Sequence, residues 1–580
     1  SVVNEGRITV QDAGIAALVA PGVRNDGIIA AKLGKVTLGA ANTFTLDFFG
    51  DELIALDLAD ELEGDVIDVS TGKPLADRVK NGGTISADGG AVALKASTAR
   101  KVVNSVINNT GVIEANSVGM KNGKIVLSAG TATTKKSGAP VQKVKVSGTL
   151  SASGKKKGEK GGKVVVTGEA IEVRSATLDA SGDSGGGSVL VGGDYLGGKA
   201  TDAELAALGI DWEAFAIPTA TFVSLDEATS INADAVTEGN GGKAVVWSDG
   251  ATITAATITA RGGAEGGNGG VIETSGKYLD VRKAADASAT NGVAGTWLLD
   301  PLDIHIQDAP EANIDTDFNV DIYNGIFGDS TFPDGIASII DVNNVEAALN
   351  SGTNVRVTTR GTSGGAQGNI YIDDDIIKSA GGDVTAVIDA ANDVIFASGV
   401  DLISTSGFVD LFVLAKDGRI TGSNMGQVDL NGGYLTLEAT DGTTFKTNSD
   451  LPDELYLIAN SNGPSSLPTV NVDVKFGGDT IKFSHNSSTA TIPTNGIVLT
   501  DSTAIGFTEI YFKNLNVAFS DYALRADADH SWYFDVDSGK AFGAVASQAL
   551  NGKPEIVSDN IVTIDPTTFG ISGIAPVFEV

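Results

Sequence analysis

The chain has no cysteine, only two methionines and only three histidines in 580 residues. Without a thiol there is no disulfide staple, so stability must come from the way strands stack on one another. The same absence suits a chain that is exported unfolded. Long hydrophobic runs are missing too: nothing approaches the roughly 18 apolar residues of a membrane-crossing helix. Basic residues are in deficit, 40 against 73 acidic, and the resulting charge of -33 keeps a large object soluble. It also repels nucleic acid and anionic membranes, so neither is expected as a partner.

What is abundant is glycine, 74 residues, nearly twice the usual share of about 7%. There is no Gly-X-Y period and 42% of the chain is hydrophobic, which excludes collagen and disorder. Instead a unit recurs: a small-residue strand, then Gly-Gly, then an alternating apolar triplet. It is seen at Thr149-Leu-Ser-Ala-Ser153 with Gly161-Gly-Lys-Val-Val-Val166, and at Ala176-Thr-Leu-Asp-Ala180 with Gly186-Gly-Ser-Val-Leu-Val191. It returns at Ser230-Ile-Asn-Ala-Asp234 with Gly241-Gly-Lys-Ala-Val-Val246, and at Thr257-Ile-Thr-Ala260 with Gly269-Gly-Val-Ile-Glu-Thr274. Such a unit cannot bury its own apolar face and must stack on copies of itself. The expected fold is all-β, a solenoid with short helical insertions, in which glycine, Asn or Asp at the corners supplies positive φ.

Repeat units beginning near Gly148, Ala176, Thr229 and Thr257 are spaced by 28, 53 and 28 residues. The long gap holds an insertion at about 195–226, where Thr201 and Glu204 form a capping-box pattern for a short helix. A second irregular segment, about 307–352, ends in Asp341-Val-Asn-Asn-Val-Glu-Ala-Ala-Leu349 and Gly352, again a short helix with its stop signal. The expected organisation is a Gly-rich repeat region over 1–300, continued rungs over 301–450, and a divergent end or β-rich cap over 451–580.

Candidate chemistry is sparse. Gly182-Asp-Ser-Gly-Gly186 matches a serine-protease nucleophile string, but the histidines are His305, His485 and His530, and none precedes the serine as that family requires. Asp373-Asp-Asp375 and Asp535-Val-Asp-Ser-Gly539 could offer oxygen ligands for incidental calcium, yet neither completes a calcium loop. No catalytic, metal or cofactor site is expected, and no enzyme; a polysaccharide-degrading solenoid is the alternative. The strongest local signal is charge. Residues 121–163 hold eleven lysines and one acid, Glu159, a local +10 that leaves -43 for the remainder. The candidate patch comprises Lys135, Lys136, Lys143, Lys145, Lys155, Lys156, Lys157, Lys160 and Lys163. It could bind anionic glycans, dock on an acidic neighbouring copy, or be a set of solvated corner loops.

Gly241-Gly-Lys-Ala-Val-Val-Trp-Ser-Asp249, Arg261-Gly-Gly263, Gly266-Gly-Asn-Gly-Gly270, Glu273-Thr-Ser-Gly-Lys277 and Gly295-Thr-Trp-Leu-Leu-Asp-Pro301 follow one another within 61 residues. This succession, with Val345-Glu-Ala-Ala-Leu-Asn-Ser-Gly-Thr-Asn-Val-Arg-Val-Thr-Thr359, resembles the filamentous haemagglutinin-like exoproteins of bacterial two-partner secretion. The resemblance covers about residues 1–445. It implies a right-handed parallel β-helix, exported through an outer-membrane partner transporter and acting outside the cell as an adhesin. The expected receptor is a host or neighbour-cell glycan or protein, and a homopolymeric fibre is the alternative assembly. The family's Asn-Pro motifs do not occur here, so the secretion domain is expected upstream of Ser1, which reads as a processed or trimmed start. In such a solenoid Trp247 and Trp297 are expected as anchors at inward or corner positions, with Pro301 ending a strand.

Overall fold

The computed structural model describes residues 1–42, 62, 64–96, 105–130, 142–201, 217–308, 338–360 and 368–439, apart from 423 and 432; for other strands it describes the backbone alone. The chain divides into two compact units. One is built from Ser1–Pro301 with Pro310–Ser338 and Ser351–Asn354, the other from Leu302–Ala309, Ile339–Asn350 and Val355–Val580.

The first unit is a parallel β-helix. Each coil contributes one strand to each of three parallel, in-register sheets. The first sheet runs from Val2–Asn4 to Tyr278–Val281, the second from Arg7–Thr9 to Thr257–Thr259, and the third from Ile15–Ala20 to Thr296–Asp300. Period-2 alternation places one side chain of each pair inside, so equivalent residues stack as ladders. Ile29, Ile85, Ile113, Leu150, Leu178, Ile231 and Ile258 are successive register partners, all buried. Burying each such side chain contributes about 1.5–3 kcal/mol, and every inward residue gains it from the coils above and below.

The glycines have a different reason from the one the turn chemistry suggests. Gly162, Gly187, Gly242 and Gly270 sit where one coil's carbonyl accepts the N–H of the following residue in the next, as in Ser188 N to Gly162 O at 2.9 Å and Lys243 N to Gly187 O at 2.8 Å. A Cβ on Gly187 would stand 2.1 Å from Gly162 O, and one on Gly242 2.0 Å from Gly187 O. None of these four has positive φ. Close backbone approach, not left-handed conformation, is what demands glycine at these corners.

The early coils carry a polar ladder inside the first corner, the one between the first and second sheets. Asn4 Nδ2 donates to Asn25 Oδ1 at 2.7 Å, Asn25 to Asn81 at 2.7 Å, and Asn81 to Asn109 at 2.8 Å. Asn109 Nδ2 also donates to Gly111 O at 3.2 Å, while Asn4 Oδ1 accepts Gly6 N at 3.2 Å. Each amide is buried and supplied with both a donor and an acceptor. In later coils the equivalent positions are Val146, Val173, Leu225, Thr254 and Val281.

In the second unit, the helix Val342–Ser351 follows Asp341, whose Oδ1 accepts Asn343 N at 2.9 Å, and ends at Gly352 with φ +87°. Its apolar stripe, Val342, Val345, Ala348 and Leu349, is buried. Parallel strands such as Val384–Ala390, Val409–Ala415 and Tyr434–Ala439 then stack in register, and parallel pairing continues through Glu509–Lys513 to Glu555–Val557. Tyr522–Ala526, His530–Asp535 and Lys540–Val545 form an antiparallel meander instead.

Candidate functional site

The lysine-rich segment is distributed over three places. Lys143 and Lys145 are on the outer face of the first sheet, where Glu172 in the next coil pairs with them at 2.7 and 3.4 Å. Burial opposes ionisation of Glu172, yet the hydrogen bond and charge of Lys143, with Lys145 and Arg174, outweigh it and hold its pKa below the usual value. Lys163 lies on the third sheet beside Lys124. Lys135 and Lys136 lie outside the described residues.

Lys155, Lys156, Lys157 and Lys160 share one loop, at the corner between the second and third sheets. All four are exposed, as is Lys121 at the same corner of the preceding coil. Glu159, the single acid, is turned inward and 4% exposed. Its carboxylate accepts Gly119 N at 2.9 Å and Lys156 N at 3.0 Å, tying the two corners together. Asp183, in the next corner, accepts Gly158 N at 2.7 Å and Thr237 Oγ1 at 2.6 Å. The bonds from Thr237 and Gly158 hold the Asp183 carboxyl below its ordinary pKa. Both carboxylates are thus engaged in shaping the loops. Among the described residues none of the five lysines is held by an ion pair. The protease-like string 182–186 is part of this stack of corners.

A second constellation lies on the outer face of the third sheet. The insertion leaves the coil at Gly192 and the regular path resumes at Phe222, so it ends earlier than expected. Residues 202–216, which include most of the predicted helix, lie outside the described residues. Its described part folds flat on the sheet: Tyr195 is buried with Val165, Leu190, Val245, Trp247, Val271 and Leu298, and Leu196, Ala200 and Ile217 pack against them. Gly197, at φ +63°, lies against the Trp247 indole, where a Cβ would approach Cζ2 to 2.7 Å. Trp247 therefore anchors the insertion on an outward position, neither inward nor at a corner as expected. Trp297 is inward and fully buried, donating Nε1–H to Thr274 Oγ1 at 3.0 Å. Pro301 follows the last residue of the strand Thr296–Asp300.

Charged groups are enclosed by this cover. Lys243 Nζ donates to Asp194 Oδ1 at 3.1 Å, with the two side chains 5% and 3% exposed. The same oxygen accepts Tyr195 N at 2.8 Å. Glu273, wholly buried, accepts Leu196 N at 2.9 Å and Ser275 Oγ at 2.9 Å. Burial, reinforced by the Asp300 and Asp194 carboxylates, pushes the Glu273 pKa up to about 8 against those hydrogen bonds. Burial pulls Lys243 down to about 8, although Asp194 opposes it. Alternation marks Lys243 and Glu273 as solvent-facing; only their positions beside the insertion's Gly192-Gly-Asp194 could have suggested a cover.

The acidic string Asp373–Asp375 is used structurally. Asp374 accepts Asp308 N and Asp375 accepts Asp401 N, each at 2.7 Å, while Asp373 bonds His305, which stacks on Tyr371. Among the described residues, no three His, Cys, Asp or Glu side chains converge as a metal site would require. Residues 536–539, and the side chains of Asp535, His485 and His530, lie outside what is described. No helix among the described residues is long and apolar enough to cross a membrane. No protein-family model matches the chain, and no curated protein matches it.

Proposed function

We propose that this protein is an extracellular, non-enzymatic surface protein that attaches through its stacked corners, exported by the two-partner route that its Gly-Gly and Trp-Leu-Leu-Asp-Pro strings resemble. The observation that carries the reading is the corner of Lys121, Lys155, Lys156, Lys157 and Lys160. Its lysines are exposed in adjacent coils while its own acid is turned in and consumed by backbone N–H groups. A rigid backbone that presents cations at a repeating spacing suits sulfated or carboxylated glycans. The test is binding of the full chain to immobilised heparin, with desulfated heparin as control. Replacing Lys155, Lys156 and Lys157 by Ala should weaken binding at least about tenfold, or 1.4 kcal/mol. Unchanged binding would remove the corner from the mechanism, and cleavage of the glycan would overturn the non-enzymatic reading.

A second reading is a fibre in which the same corner meets the acidic surface of another copy, favoured by the contrast between this patch and the net charge of -33. Electron microscopy at low and physiological salt separates the two. Regular filaments that dissolve with salt support the fibre; dispersed particles at both salts support the glycan reading.

A further inference from the structure

The enclosed Lys243 and Asp194 side chains stand 49 residues apart in sequence and belong to adjacent coils. Both side chains are buried, and Tyr195, next to Asp194, packs on Val165, Leu190 and Trp247 of the sheet. A buried ion pair is an expensive way to hold an insertion, because both ions lose their hydration. Condensing the pair into an amide abolishes both charges and keeps the tether. We propose that Lys243 and Asp194 form an intramolecular isopeptide bond, a covalent staple in a chain that has no cysteine.

The geometry supplies the requirements of the reaction. Nucleophile and carboxyl are held at hydrogen-bond distance, the range in which positioning alone gives very large effective concentrations. Asp194 Oδ1 accepts Tyr195 N–H, a fixed donor for the oxygen that gains negative charge when Nζ adds to Cγ. In the step, the Nζ–Cγ bond forms and the Cγ–Oδ2 bond breaks. The ammonium and carboxylate together lose two protons and one oxygen as a single water, so no oxidant or activating co-reactant is needed. The lowered affinity of Lys243 for its proton makes the neutral, nucleophilic amine accessible near neutral pH. Glu273, on the same covered face of the next strand, bonds Leu196 N, two residues beyond Asp194. Its carboxyl is engaged by Leu196 N and Ser275 Oγ, and burial raises its pKa towards the neutral form. It is a positioning group; the bonding atoms are those of Lys243 and Asp194.

The experiment is the intact mass of the full, denatured chain. The expected mass is lower than the sequence mass by one water, and a lysine-specific protease should leave Lys243 uncut within a branched peptide that contains Asp194. Asp194→Asn should lose ammonia instead of water from its own sequence mass, which identifies the carboxyl partner; Lys243→Arg should show its full mass. A wild-type chain of full mass that is cleaved after Lys243 overturns the proposal, whatever the variants do. Because the wild-type mass decides, the outcome does not depend on whether either variant folds, nor on glycan binding.

Discussion

The coils before Gly148 and those after it solve one packing problem in two ways. Up to Asn109 the inner position of the first corner is an asparagine ladder and the corner residue is glycine: Gly27, Gly83 and Gly111. From Ala176 onward the ladder position is Val, Leu or Thr and the corner residues are Ala176, Thr229 and Ala256, all buried. The asparagine amide bonds the carbonyl of its own corner glycine, and the next coil's glycine packs directly on that carbonyl. Where the polar ladder stops, the corner opens enough to admit a side chain. A hydrogen-bonded interior and an apolar one therefore demand different corners, though the sheets run through both without a change of register.

The sharpest way to break this comparison is Asn81→Val. It leaves Asn109 Oδ1 without its donor and Asn25 Nδ2 with only the long bond to Gly27 O at 3.5 Å, at about 1–3 kcal/mol for a buried group left without a partner. Replacing Asn4, Asn25, Asn81 and Asn109 together by Val should recover most of the loss, because no amide of the ladder is then stranded and the Gly6 N–H that Asn4 releases is exposed to water. Native-state hydrogen exchange of the early coils is the suitable measurement, since coils of a repeat array open locally. A fourfold variant less stable than the single one would show that the ladder is more than a set of mutually dependent pairs.

Next in size is the corner itself. Gly83→Ala drives a Cβ to 2.1 Å from Gly27 O and should cost at least the about 1–3 kcal/mol typical of overpacking. The reverse change in the later coils, Ala256→Gly, should cost only about 0.5–1 kcal/mol, the entropic penalty of glycine. Urea midpoints of the two variants, compared side by side, check the asymmetry; equal losses would refute the explanation of the corner.

A pH profile sharpens the contrast between covered and bare outer faces. Glu273 has its pKa raised from 4.5 to about 8, so the folded form binds more protons than the unfolded form between those values. Its contribution is fully present below about pH 4.5 and is lost as pH rises towards 8. Exchange protection around Tyr195 should fall across that window, and Glu273→Gln should flatten the fall. The smallest effect is expected at the bare basic corner: Lys156→Ala should change the unfolding free energy measured in urea by no more than about 0.5 kcal/mol.

The solenoid was legible because its signal is periodic. Gly161-Gly162, Gly186-Gly187, Gly241-Gly242 and Gly269-Gly270 repeat in the order in which they stack. The asparagine ladder carries its own signal, Asn-x-Gly at Asn4, Asn25, Asn81 and Asn109, but a residue common in turns reads as a turn when each occurrence is taken alone. Trp247, Lys243 and Glu273 occupy outward positions of an alternating strand. What covers this face arrives from Tyr195, Leu196, Ala200 and Ile217, so no local pattern on their own strands records it. The lysine cluster was legible as charge, but its division between Glu172-paired and corner lysines depends on which coil lies next to which.

Hydrogen bonds between coils run along the direction of stacking, and this gives the first unit a mechanical anisotropy. Tension applied along the stack loads one rung's bonds at a time and peels the coils like a zipper. A pull along the strands, at right angles to the stack, must shear a whole row at once. Asp194 and Lys243 join one coil to the next outside the peptide ladder, so a peeling front travelling through the unit would be arrested there.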